Sequence, residues 1–292
     1  MNKIKNNIFG YLYLSPVLVL IIVFLIYPFL NVIKVSFFSA KFGFGEMSYA
    51  GLKNYISLFQ DEVFLKSIYN SVIWTIGNVL LQLSIPLGIA LLLNRKFKGA
   101  TLIKTLIIIP WIAPVVGIAM ITKWTLEPQL GIANRILLSL GWIDKQINFL
   151  GSMNNAFPTL LFINSWQFIP FGTILILAAL QTISTELYDA VKIDGANSWQ
   201  TFCYLIFPII GSMIGFVFFF GLVYSLNSFA LIWITTKGGP VNATMTLPVL
   251  IYQKAFMSFN AGEASAIATL MGALLIIIGF LFFKYLWKGK NV

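Results

Sequence analysis

Chemistry needs side chains that titrate, donate or accept, and this chain is sparing with them. It has no His and one Cys, Cys203, among 292 residues. His-based metal centres and His-centred catalysis are excluded. No disulfide can form within the chain. Of the 9 acidic residues, Glu186, Asp189 and Asp194 fall in one short stretch, Gln181 to Ala196. A second group is neutral: Asn78, Gln82, Asn164, Gln167, Tyr224, Ser225, Asn227 and Ser228 all lie in long apolar surroundings. Amides and hydroxyls suit a neutral polyhydroxylated ligand. They equally suit hydrogen bonds that hold one membrane helix to the next. The pattern G-x-x-x-x-G-K-[ST] is absent, so any ATP that drives this protein must bind another chain.

The elements carrying these residues are membrane helices. Apolar residues make up 59% of the chain and charged residues 10%. A soluble domain carries about a quarter charged residues. This composition excludes a soluble enzyme, a disordered tail and a nucleic-acid-binding domain. A spanning helix needs about 20 mostly apolar residues. Stretches free of Asp, Glu, Lys and Arg occur at 6–33, 67–94, 105–122, 146–185, 195–236 and 264–283. They predict an all-α membrane protein with six helices near 11–33, 68–93, 105–124, 157–180, 209–233 and 264–286, in one domain over 1–292. The first stretch is too long for a cleaved signal core and reads as a retained anchor.

Six spans put both ends on one side. Lys3, Lys5, Arg95, Lys96, Lys98, Lys104, Lys192, Lys284, Lys288 and Lys290 then share a face with three acids. Their density in short loops predicts that both termini are cytoplasmic. Pro16, Pro28, Pro86, Pro110, Pro114 and Pro170 interrupt predicted helices. Each removes an internal hydrogen bond, and a neighbour must satisfy the freed carbonyl. No ionisable side chain sits at the centre of a span. Proton- and ion-driven transporters commonly carry one there, so a secondary transporter or channel is the weaker reading. A membrane-embedded enzyme is weaker still, because the inner acids cluster in one short helix with no His partner.

That short helix begins after Ser184 or Thr185, residues that cap helix starts, and Glu186 favours its first turn. Gly195 suits a left-handed terminator. Leu187, Ala190 and Val191 are expected on one apolar face. A helix this short is marginal alone and needs a groove or the bilayer surface to lie against.

The run Glu186-Leu-Tyr-Asp-Ala-Val-Lys-Ile-Asp-Gly-Ala196, then Trp199-Gln200-x-Phe202 and Ile206-Phe-Pro208, resembles the "EAA" loop. That loop marks membrane permeases of binding-protein-dependent ATP-binding-cassette (ABC) importers. Asp189-Ala190-Val191 stands in the E-A-A place, and Asp194-Gly195-Ala196 follows at the family spacing. Phe207 stands where Leu is usual. Gly51-Leu-Lys-Asn-Tyr55, Gly131-Ile-Ala-Asn134, Asn164-Ser-Trp166, Gly238-Gly-Pro240 and Ala264-Ser-Ala-Ile-Ala268 extend the likeness over nearly the whole chain. They point to the carbohydrate branch and to the larger maltose-type permease subunit.

The resemblance implies a type I ABC importer permease fold. It also implies a coupling loop at 184–207, docked on a cytoplasmic ATPase through Glu186, Leu187, Asp189, Ala190, Asp194 and Gly195. The implied partners are a second homologous permease, two ATPase subunits holding ATP and Mg, an extracytoplasmic sugar-binding protein and membrane lipids. No cofactor is expected on this chain, nor nucleic acid. Maltose-type sugar contacts map onto Asn164, Gln167, Phe168, Phe171, Gly221, Tyr224, Ser225 and Ser228. Gln167, Phe168, Gly221, Ser225 and Ser228 depart from that pattern, which implies a different ligand or no direct contact at all. The implied home is a bacterial or archaeal plasma membrane.

Overall fold

The computed structural model describes residues 13–41, 47–95 and 97–288. The predicted start of the first helix at 11–12, and Lys3, Lys5, Lys96 and Lys290, lie outside them. In chain order the helices are α1 (Tyr13–Ser36), then a two-stranded hairpin of β1 (Phe38–Ser39) and β2 (Ser48–Tyr49). Next come α2 (Lys53–Gln60), α3 (Glu62–Leu93), α4 (Ala100–Ile112), α5 (Val115–Thr125) and α6 (Ile132–Ser139). There follow α7 (Ala156–Leu180), α8 (Thr185–Ile193) and α9 (Phe207–Leu226), which is led in by Ser198–Gln200 and a π-helical turn at Thr201–Ile206. Last are α10 (Ala230–Thr235), α11 (Leu247–Tyr252), a π turn at Gln253–Met257, and α12 (Ala261–Lys288).

Five helical stretches are long and apolar enough to cross a membrane, and a sixth span is possible if α4 and α5 count as one. They are α1, α3, α7, Ser198–Thr235 and Ala261–Lys284. The stretch read as one helix at 105–124 is broken: α4 and α5 meet at 92°. The cause is local. Pro114 pushes the preceding residue out of helical geometry, and Ala113 and Pro114 are both extended, at ψ 133° and 132°. Pro86 and Pro170, by contrast, stay inside unbroken helices. The fifth helix begins earlier than 209, at Ser198, because the Asn197 side chain caps it and Gln200 returns the bond to the Asn197 amide.

The chain divides into two compact units. The first comprises residues up to 65 together with 250–274. Here Asn54 on α2 donates to the carbonyls of Ser36 and Phe38 at 2.8 and 3.0 Å, pinning the end of α1 and the hairpin. Lys254 bonds Asp61 and Glu263, each at 2.8 Å. Burial opposes ionisation of Asp61. The Lys254 bond, the Val63 amide and the Lys254 charge outweigh it and hold the carboxyl below its usual range. Burial likewise opposes the Lys254 charge, and its two carboxylate partners outweigh that and raise it.

The second unit comprises 66–249 with 275–292. Helix α7 is its centre and buries Leu160, Asn164, Phe168, Ile176 and Leu180. One apolar cluster gathers Ala90 and Leu93 of α3, Phe168, Ile176, Leu177 and Leu180 of α7, Ile183, and Ile206, Ile210 and Val217 at the start of α9. Two glycines permit close approach. A Cβ on Gly172 would meet Pro86 at 3.1 Å, and one on Gly221 would meet Oε1 of Gln82 at 2.9 Å. Outward-facing Leu, Ile and Phe remain exposed along α1, α3 and α12, as expected of helices whose solvent is lipid.

Candidate functional site

Within the second unit, α3, α7 and α9 join through a buried polar network. Asn78 is fully buried. Its Nδ2 donates to the Trp74 carbonyl one turn back, at 2.8 Å. That fixes its Oδ1 as the acceptor facing α7. There it receives Asn164 Nδ2 and Ser165 Oγ, both at 2.8 Å. Gln82 Nε2 reaches the same oxygen at 3.4 Å, and Gln82 Oε1 accepts from Ser225 at 3.3 Å. With Nδ2 committed, Asn164 turns its Oδ1 outward, where Ser228 donates at 3.0 Å.

Beside this network lies a pocket of about 460 Å³. Asn164, Gln167, Tyr224, Asn227 and Ser228 give it hydrogen-bonding walls, with Phe220 and Phe229 as rings. Among the described residues no carboxylate or cationic side chain lines it. Gln167 accepts from Tyr224 at 3.3 Å and donates to the Ala113 carbonyl at 3.4 Å, the carbonyl freed at the α4–α5 break. The arrangement offers amides and hydroxyls for exchange with ligand hydroxyls.

The structure brings together half of the eight residues mapped from the sugar-contact pattern. Asn164, Gln167, Tyr224 and Ser228 line the pocket. Phe168, Gly221 and Ser225 are buried behind it. Phe171 sits in an aromatic cluster, 5.3 Å from Trp111 and 4.8 Å from Phe220 between ring centroids. Asn227, one of the neutral polar group but outside the mapped contacts, is exposed and bonds the Val223 carbonyl. It joins the pocket one turn after Tyr224, a spacing that would have found it.

The second feature is α8. Ser184 is its N-cap, and Gly195 follows it at φ +73°. The amides of Gly195 and Ala196 fold back to the carbonyls of Lys192 and Val191. Glu186 accepts from the Ser184 hydroxyl and a backbone amide, which holds its carboxyl below the usual range. Leu187, Ala190, Asp189, Asp194 and Ile193 are exposed, Ile193 at 86%. The expected apolar face is thus split. Leu187 and Ala190 face outward and Val191 is half-buried. The inward residue is Tyr188, which packs against the inner cluster. Burial raises its hydroxyl pKa, and Asn94 lies beside the hydroxyl and opposes the rise.

Long apolar helices around a neutral polar pocket make this a multi-pass membrane protein of transport type. The chain belongs to the family of binding-protein-dependent transport system inner membrane components, whose model matches residues 84–291. It is a permease subunit. A probable ABC transporter permease protein of Brucella suis is 30% identical over 98% of this chain and 99% of its own length. The trehalose/maltose transport system permease protein MalF of Thermococcus litoralis is 29% identical, covering 97% and 95%. The fold is also that of a solved bacterial alginate ABC transporter in complex with alginate pentasaccharide-bound periplasmic protein. The match has TM-score 0.83 at 22% identity, over 96% of this chain and 94% of that one. It supports the type I importer permease fold.

Proposed function

We propose that this chain is the transmembrane subunit of an ATP-driven carbohydrate importer and forms half of its pathway. The observation that carries the sugar assignment is the pocket. Among apolar neighbours its walls carry neutral amides, hydroxyls and rings, the groups that bond and stack on sugars, and no charge among the described lining residues selects an ion. Relatives that move trehalose, maltose and alginate support the same reading.

In this proposal the partners are a homologous second permease, two ATPase subunits carrying ATP and Mg, and an extracytoplasmic binding protein. The termini are cytoplasmic in a bacterial or archaeal plasma membrane. The exposed side of α8 docks on the ATPase, with Leu187, Ala190 and Ile193 as apolar contacts and Glu186, Asp189 and Asp194 meeting basic residues. The pocket residues Asn164, Gln167, Tyr224 and Ser228 meet the sugar. Phe168, Phe171, Gly221 and Ser225 shape the wall behind them.

The test is a pull-down of the complex expressed with its neighbouring genes, followed by ATPase assay with binding protein loaded by each of a sugar panel. An ATPase and a second permease should co-purify, and one loaded binding protein should stimulate turnover. Asp189→Asn with Asp194→Asn should abolish ATPase association. Uptake by this chain alone, without ATP, would replace the proposal by the secondary-transporter reading.

A further inference from the structure

We propose that Tyr188 is the positioning residue through which α8 moves the membrane helices. This rests on the reading of α8 as the ATPase-docking element. A helix of nine residues is joined to α7 and to the α9 lead-in by short links. One of them turns at Gly195 with φ +73°. A push on the exposed side can swivel α8 on those links and be lost. It reaches the bundle only through a side chain seated in it.

Among the described residues of α8, Tyr188 is the one packed against the apolar cluster of α3, α7 and the start of α9. At 3.6 residues per turn it points about 200° away from Glu186 and Ala190. Load therefore enters on one side of α8 and leaves by the ring on the other. The receiving cluster is close-packed, and close-packed side chains transmit displacement rather than absorb it. The same cluster holds Phe168, whose ring lies 5.2 Å from that of Tyr224 on the pocket wall. A continuous path of packed side chains thus runs from α8 to the pocket.

The ring does this, not the hydroxyl. The hydroxyl is buried and meets no partner at good hydrogen-bond geometry among the described residues. Removing such a hydroxyl takes nothing from the arrangement, whereas removing the ring empties the seat.

The experiment uses the assembled transporter in proteoliposomes, with Cys203→Ser and Ser228→Cys as a reporter at the pocket. The readout is labelling by a membrane-impermeant maleimide, with and without ATP plus orthovanadate, so no sugar need be known. Linked sites typically differ by about 5- to 150-fold between states, and a change of that order in labelling rate is expected for the parent and for Tyr188→Phe. Tyr188→Ala should keep the ATPase bound and hydrolysing while the change collapses to about onefold. Tyr188→Leu retains apolar volume should the Ala variant not assemble, and its response should be partial. If the ATPase co-purifies and both Ala and Leu variants respond like the parent, the inference is overturned. It is equally overturned if these variants lose the ATPase, because Tyr188 would then be a docking contact. If no ATPase co-purifies even with the parent, the function proposed above is what fails.

Discussion

Asn78 on α3 and Asn164 on α7 share a hydrogen bond of 2.8 Å between residues 86 apart in sequence. It decides which atom the pocket sees. Asn78 spends its N–H on the Trp74 carbonyl, so Asn164 must give its N–H to Asn78 and its oxygen to the pocket side. Asn78→Leu would orphan Asn164 Nδ2 and Ser165 Oγ together. Interhelical bonds in membrane proteins are worth about 0.6 kcal/mol, and at most about 1.7. The expected loss is therefore about 1–3 kcal/mol, read as a lower midpoint in denaturant unfolding of the detergent-solubilised chain. The pair Asn78→Leu with Asn164→Leu should lose less than the sum of the singles. Strict additivity would show that the bond does not hold α3 to α7.

Gly221 of α9 lies against Gln82 of α3. A methyl there would stand 2.9 Å from Gln82 Oε1 and 3.6 Å from the Phe168 ring. The Gln82 side chain cannot retreat freely, because it bonds Ser225 and Asn78. Gly221→Ala should cost about 1–3 kcal/mol, as overpacking does. Shortening the obstacle with Gln82→Ala should return part of it. A Gly221→Ala variant as heat-stable as the parent would mean that α9 can shift without loss.

Much of this was legible in the sequence, for identifiable reasons. Charge-free stretches mark membrane helices because lipid tolerates no unpaired charge, so α1, α3, α7 and α12 could be read directly. The N-cap at Ser184 and the turn at Gly195 follow from local chemistry. The α4–α5 break did not follow. Pro110 and Pro114 signalled an interruption, but Pro86 and Pro170 carry the same signal inside intact helices. What separates them is whether neighbours hold the helix straight, and that is tertiary. Tyr188 as the inward residue of α8 did not follow, because the apolar pattern picks out Leu187, Ala190 and Val191. The bundle takes the aromatic ring of Tyr188 and leaves Leu187 exposed. The Asn78 hub was visible only as one of several buried amides, since nothing local says which amide meets which.

Gln167 links the break to the pocket. It donates to the Ala113 carbonyl at 3.4 Å while accepting from Tyr224 at 3.3 Å. Gln167→Leu should leave that carbonyl and the Tyr224 hydroxyl without these partners. The expected outcome is faster hydrogen exchange at the first turns of α5, Val115 to Ala119, with α9 amides unchanged. Gln167→Glu keeps an acceptor for Tyr224 but, when ionised, no donor for Ala113, so it should reproduce the α5 effect. Unchanged exchange in both variants would show that the break holds without Gln167.

The ion triad of the first unit makes a prediction about pH. Asp61 is held below its ordinary 3.8 and Lys254 above its ordinary 10.5. A lowered carboxyl contributes stability that is full above its unfolded value and fades as pH falls through the folded one. A raised ammonium contributes stability that is full below its unfolded value and fades as pH rises through the folded one. The Asp61–Lys254 pair should therefore contribute evenly between pH 3.8 and 10.5 and weaken beyond both ends. Lys254→Met leaves Asp61 and Glu263, whose side chains are 26% and 21% exposed, without their counter-charge. Breaking a buried pair costs about 3–5 kcal/mol. Partial exposure here reduces that to about 1–2 kcal/mol. Measured as the difference in unfolding midpoint between parent and Lys254→Met across pH, the gap should be flat through neutrality. It should narrow on the acid side, as the pH falls toward the lowered folded-state range of Asp61 and its carboxyl takes up a proton. A gap that already closes near pH 6 would mean that neither carboxylate is ion-paired with Lys254 in solution.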